Sequence, residues 1–143
     1  MAAESRATTV WEGDLLSGRG ETTVDSGVLS AVEVSWTART ERAEGTTSPE
    51  ELLAAAHTSC FCMALSSQLA KAGNVPERLE AGATITFVPG EGVRSSRLAV
   101  RGRVPGIDQT AFEDAARGAG ENCPISQALR GNVEIEVEAT LEA

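Results

Sequence analysis

Apolar and polar positions alternate through the first part of the chain, in runs at Thr8 to Glu12, Gly20 to Val24 and Val28 to Trp36. Period two with β-branched residues, broken by glycine turns, predicts three strands, with Arg39 closing the third. The pattern then changes. Ser48-Pro49-Glu50-Glu51 supplies an N-cap, a proline at the first helical position and an acidic first turn, and Gly73 supplies a stop. A helix is predicted from about Pro49 to Lys71. Period two returns from Arg78 to Val88 and from Val93 to Val104, and the turn residues Pro89-Gly90-Glu91-Gly92 make these two strands a hairpin. A turn at Pro105 to Asp108 leads into a helix from about Gln109 to Ala119. A short helix after Cys123 and a strand from Asn132 to Leu141 follow. Along that last strand Glu134, Glu136 and Glu138 form a solvated face. The order β-β-β-α-β-β-α-α-β implies an α+β architecture, read as one domain over residues 1–143 without repeats or linkers.

The long helix departs from amphipathic patterning. Leu52, Leu53, Ala54, Ala55, Ala56, Cys60, Phe61, Cys62, Met63, Ala64 and Leu65 cover nearly every face, and a helix apolar all round is buried on all sides. With three Phe, two Trp and no Tyr, one chain of this size has difficulty covering it. A homodimer with this helix near its centre is therefore expected.

Charge narrows the partners. The chain has 12 Lys and Arg against 21 Asp and Glu, a formal net charge of −9, which would repel phosphate backbones and anionic lipid surfaces. Neither nucleic acid nor membrane is expected as a partner. The first ten residues lack an apolar leader core, and apolar runs such as Leu52 to Ala56 fall well short of the roughly 20 residues of a membrane span. A soluble, cytoplasmic protein is expected. Three cysteines are an odd number without framework spacing, so reduced thiols are the resting state.

The thiols carry the candidate chemistry. Cys60 lies about eleven residues into the helix, beyond the reach of its positive N-terminal end. To act as a nucleophile there it needs a nearby cation, because apolar surroundings raise a thiol pKa and a guanidinium lowers it. Arg39 is the candidate cation and Glu50 the carboxylate that would hold it. Glu50 and Cys60 are ten residues apart on one helix, about 15 Å of rise. Either the long arginine bridges them, or Glu50 and Arg39 meet the Cys60 of another subunit. Cys123 directly precedes Pro124, an N-cap-like position facing free N–H groups, so its pKa should be lowered. Local reasoning makes Cys123 the more acidic thiol and leaves open which one attacks first. The alternative is that both are small buried hydrophobes.

Other groups rank lower. His57, three residues before Cys60, is placed to act as its base, although a packed helical histidine is the favoured reading. Cys62 is rotated about 200° from Cys60, so these two with His57 make a poor metal site. The glycines at 13, 18 and 20 lack the strand-to-helix context of a phosphate loop.

Several strings, in order along nearly the whole chain, resemble the OsmC/Ohr family of thiol-dependent hydroperoxide reductases, within it the OsmC branch. They are TrpGluGlyAsp at 11–14, SerGlyValLeu at 26–29, ThrAlaArg at 37–39 and ProGluGluLeuLeuAlaAlaAlaHis at 49–57. CysPhe at 60–61, MetAlaLeu at 63–65, ProGlyIleAsp at 105–108 and CysProIleSerGln at 123–127 complete the set. The resemblance implies an OsmC-like fold, an intertwined homodimer in which curved sheets wrap two central helices. It also implies Cys60 as the peroxidatic thiol and Cys123 as the resolving one, with Arg39 and Glu50 activating Cys60; Arg19, in an earlier loop, is a second candidate for the arginine. Cys62 stands where the pattern usually has a small or polar residue. The implied reaction reduces an organic hydroperoxide, with Phe61 and Met63 as apolar walls and a dithiol as reductant, for which the resemblance suggests a dihydrolipoyl protein. No metal or organic cofactor is expected. A redox sensor and a non-catalytic dimer binding an apolar ligand are the rival readings.

Overall fold

The computed structural model describes residues 2–42 and 44–143. Two compact units divide the chain, Met1–Leu52 and Leu53–Ala143.

In the first unit, β1 (Ala7–Glu12), β2 (Arg19–Val24) and β3 (Val32–Val34) form an antiparallel sheet in chain order. Gly20 is required at its centre: a Cβ there would stand 2.9 Å from both the Trp11 ring and a Val34 methyl. The third strand is shorter than predicted, because Ser35 ends it. The Ser35 hydroxyl accepts a hydrogen bond from the Ala38 N–H and caps a five-residue helix, α1 (Trp36–Thr40). Arg39 thus sits on a helix rather than at a strand end. The alternation that runs on through Trp36 conceals a start signal that only the capping serine gives away.

The long helix, α2 (Pro49–Lys71), has the predicted bounds. Its Ser48 oxygen accepts from the Glu51 N–H at 3.1 Å, and Thr47 Oγ1 donates to Glu51 at 2.6 Å. With 23 residues it is long and apolar enough to cross a membrane, but His57, Phe61, Leu65 and Leu69, one turn apart, are buried against the chain's own core. Its other faces are half-buried or exposed, with Met63 at 72%. The single chain therefore fully buries one stripe of this helix and covers the rest of its apolar surface only in part.

In the second unit, β4 (Arg78–Val88) and β5 (Gly92–Arg103) form the predicted hairpin, and β6 (Glu134–Leu141) runs parallel to β5. Strand β6 starts two residues later than expected, since the Asn132 and Val133 N–H groups both bond to the Leu129 carbonyl to close the preceding turn. Alternate residues of β5 point inward, Ser96, Leu98, Val100 and Gly102, against Phe61, Leu65, Phe112, Ala116 and Ala119. Helix α3 (Gln109–Asn122) outruns its predicted end. Gly120 does not stop it: a Cβ at that position would come within 2.6 Å of a Val137 methyl, so the glycine lets α3 close onto β6. Helix α4 (Pro124–Leu129) follows after Cys123 alone.

Candidate active site

Arg39 and Glu50, both in the first unit, meet through a forked contact. Arg39 Nε donates to both Glu50 oxygens, at 3.0 and 3.1 Å, and its terminal nitrogen donates to Oε2 at 3.0 Å. The Glu50 carboxylate is buried, at 8% exposure, and the guanidinium also lies 5.8 Å from the centre of the Trp36 ring. A paired fork backed by an aromatic face holds an arginine in one orientation. Arg19 differs in each respect. It pairs at 3.1 Å with Glu21, and both side chains are about half exposed. Of the two candidate arginines, only Arg39 has the buried carboxylate.

Cys60 and Cys123 belong to the second unit, where both are free thiols and lie close enough for each to shift the other's acidity. Helix α2 carries Cys60 at a half-buried position. Cys123 is fully buried where α3 ends and α4 begins. Burial pushes the Cys60 thiol up, and the hydrogen bond with Cys123 pushes it further, against a smaller opposing pull from the Ile125 N–H. Burial alone would also raise Cys123. Its hydrogen bond with Cys60, the N–H groups of Ser126 and Ile125 and the Ser126 hydroxyl outweigh that cost and hold it below the usual thiol value. Cys123 makes no side-chain cap hydrogen bond, and its lowering comes from the polar groups of the first turn around it, the environment expected of a residue before a helix-starting proline. Of the two, Cys123 is thus the more acidic thiol and Cys60 the less acidic.

His57 is fully buried with both ring nitrogens engaged. Its Nδ1 lies 2.7 Å from Ser96 Oγ on β5 and its Nε2 2.8 Å from Ser126 Oγ on α4. Neither nitrogen is left to serve Cys60 as a base. Burial lowers its pKa, so the ring is neutral near pH 7. Sequence reasoning missed the two serines. A polar residue on the inward face of β5, in phase with Leu98 and Val100, was the available signal for Ser96. Cys62 is half-buried and its thiol is pushed up by burial. Phe61 is enclosed in the core at 0% exposure and cannot wall a substrate pocket, unlike the exposed Met63.

The model of the OsmC-like protein family matches residues 40–138. Peroxiredoxin OsmC of Escherichia coli strain K12 is 33% identical over 96% of this chain and 98% of its own length. The organic hydroperoxide resistance protein OhrB of Bacillus subtilis strain 168 is 32% identical over 83% of this chain and 88% of its own. Among solved structures, an organic hydroperoxide resistance protein from Elizabethkingia anophelis superposes with a TM-score of 0.75 at 25% identity, covering 99% of this chain and 100% of that one. By its family match, its relatives and its fold, the chain belongs to the OsmC/Ohr family.

Proposed function

We propose that this protein is a thiol-dependent peroxidase that reduces organic hydroperoxides to alcohols, with Cys60 as the attacking thiol and Cys123 as the resolving one. The observation that carries the reading is that two free thiols from distant parts of the sequence lie close enough to shift each other's acidity. The names of the relatives, a peroxiredoxin and organic hydroperoxide resistance proteins, supply the oxidant class.

The reaction starts when Cys60 gives its proton to Cys123 in its thiolate form, which leaves Cys60 as thiolate and Cys123 as thiol. The Arg39 guanidinium, held by Glu50, is assigned the role of favouring that shift, from the same chain or a partner's. Cys60 sulfur attacks the distal oxygen of the hydroperoxide: an S–O bond forms, the O–O bond breaks, and the departing alkoxide takes the proton from Cys123 to leave as alcohol. Arg39 stabilises the developing alkoxide charge. The Cys123 thiolate then attacks the Cys60 sulfenic acid, the S–S bond forms, and hydroxide departs. An external dithiol, of which a dihydrolipoyl protein is one form, reduces the disulfide by exchange and is itself oxidised. No metal or organic cofactor takes part.

The raised Cys60 pKa also favours a second reading, a redox sensor that forms the same disulfide but turns over slowly. Consumption of an alkyl hydroperoxide under saturating dithiol separates the two. Sustained turnover that is abolished by Cys60→Ser supports the peroxidase. One equivalent consumed, followed by arrest, identifies the sensor, and binding of an apolar ligand unaffected by Cys60→Ser identifies a non-catalytic module.

A further inference from the structure

Two apolar stripes meet in the core of the second unit, His57-Phe61-Leu65-Leu69 on α2 and Ser96-Leu98-Val100 on β5, and at one end both turn polar together. The polar group there is His57 between Ser96 and Ser126, all three at 0% exposure. Ser126 is three residues after Cys123, the N-cap residue of α4. N-cap and N3 side chains are neighbours at a helix start, so the Ser126 hydroxyl stands beside the Cys123 sulfur.

Hydrogen counting gives the network a direction. A neutral imidazole has one N–H, and each serine has one O–H. If Nε2 carries the ring proton, it donates to Ser126 Oγ, the Ser126 O–H is free to donate to Cys123, and Nδ1 accepts from Ser96. If Nδ1 carries the proton, the Ser126 O–H must satisfy Nε2 and has nothing to give the sulfur. Only the first arrangement gives Cys123 a donor in the thiolate form that the resolving step requires, and nothing on this stretch of core otherwise explains a buried imidazole where a leucine would continue the stripe.

We propose that Ser96, His57 and Ser126 form a directional hydrogen-bond relay, Ser96 O–H to His57 Nδ1 and His57 Nε2–H to Ser126, that turns the Ser126 hydroxyl proton onto Cys123 and holds it as the resolving nucleophile. His57 and Ser96 are positioning residues, and Ser126 is the group in contact with the reacting sulfur. The proposal deepens the peroxidase reading and rests on it for the step being served. In that step Cys123 sulfur bonds to the sulfenic sulfur of Cys60, the S–O bond of the sulfenic acid breaks, and hydroxide leaves. The oxidant is the organic hydroperoxide, and the relay neither gains nor loses a proton.

The test titrates the ultraviolet thiolate absorbance of the full chain carrying Cys60→Ser and Cys62→Ser, so that Cys123 is the sole thiol. Adding Ser126→Ala or His57→Leu is expected to raise the midpoint and lower the thiolate fraction below it by about tenfold, the loss of one charge-assisted hydrogen bond. Ser126→Thr and His57→Gln, which keep a donor at the same place, are expected to restore it. An unchanged midpoint in folded Ser126→Ala protein overturns the relay. Should the variants fail to fold, nitrogen-15 NMR of the unaltered reduced protein decides, since His57 is the single histidine. The Nε2–H tautomer supports the relay and the Nδ1–H tautomer overturns it. Neither readout requires peroxidase activity, so a protein that passes both but forms no disulfide with an alkyl hydroperoxide retains the relay and loses the peroxidase reading.

Discussion

Two residue pairs with similar formal chemistry have very different surroundings here. Arg19 and Glu21 hold each other on the surface, where an ion pair contributes about 0–1 kcal/mol. Arg39 meets a buried Glu50 through a fork with three donor–acceptor contacts. Arg39→Lys keeps the charge and loses the fork. Stopped-flow measurement of Cys60 oxidation is expected to show a fall of about a hundredfold, the size of a lost donor to a developing oxyanion, whereas Arg19→Lys is expected to leave the rate unchanged. His57 sets a pH dependence of stability. Its folded pKa is depressed below 6.5 by burial, so as pH falls through 6.5 the unfolded chain takes up the proton first. Stability is therefore expected to be full above that pH and to decline below it. Denaturant titrations from pH 7 towards pH 5 are expected to show this slope in the parent and to lose the histidine component in His57→Gln.

At the scale of elements, the position of Cys123 depends on how closely α3 lies on β6. Besides the Gly120 contact, the Gln109 side chain ties the start of the helix to the strand, donating to the Ala139 carbonyl at 2.9 Å and accepting from the Leu141 N–H at 2.8 Å. Gly120→Ala puts a methyl 2.6 Å from Val137. It is expected to cost about 1–3 kcal/mol by overpacking, measured as a lower denaturation midpoint, and to slow disulfide closure because Cys123 lies one turn further on. Most elements were legible because their signals are local: the Ser48-Pro49 start of α2, the Pro89 to Gly92 turn and the Cys123-Pro124 junction. Helix α1 was not, since alternation carries through its first residue. The extension of α3 was not, since a glycine reads as a stop unless the neighbouring strand is known. Of the site, the two thiols and the Arg39–Glu50 pair were named from sequence, while Ser96 and Ser126 depend on packing between segments that no local pattern connects.

For the whole molecule, the proposed assembly is a homodimer. In the first unit Val10, Leu15, Leu16 and Val28 are each more than half exposed, and along α2 Met63 is 72% exposed. Exposed apolar side chains become an association surface where they form one contiguous patch. Sedimentation velocity of the reduced protein is expected to give a particle of twice the 14.9 kDa chain mass, and Met63→Glu to shift it towards monomer; a fully active monomer would remove the dimer from the account. The claim on which the rest depends is the chemistry of the paired thiols. The most direct measurement mixes the reduced protein with one equivalent of an alkyl hydroperoxide, quenches with an alkylating agent and maps the cysteines by peptide mass spectrometry. A rapid Cys60–Cys123 disulfide with Cys62 still alkylated is the predicted result, and all three thiols recovered alkylated would contradict it.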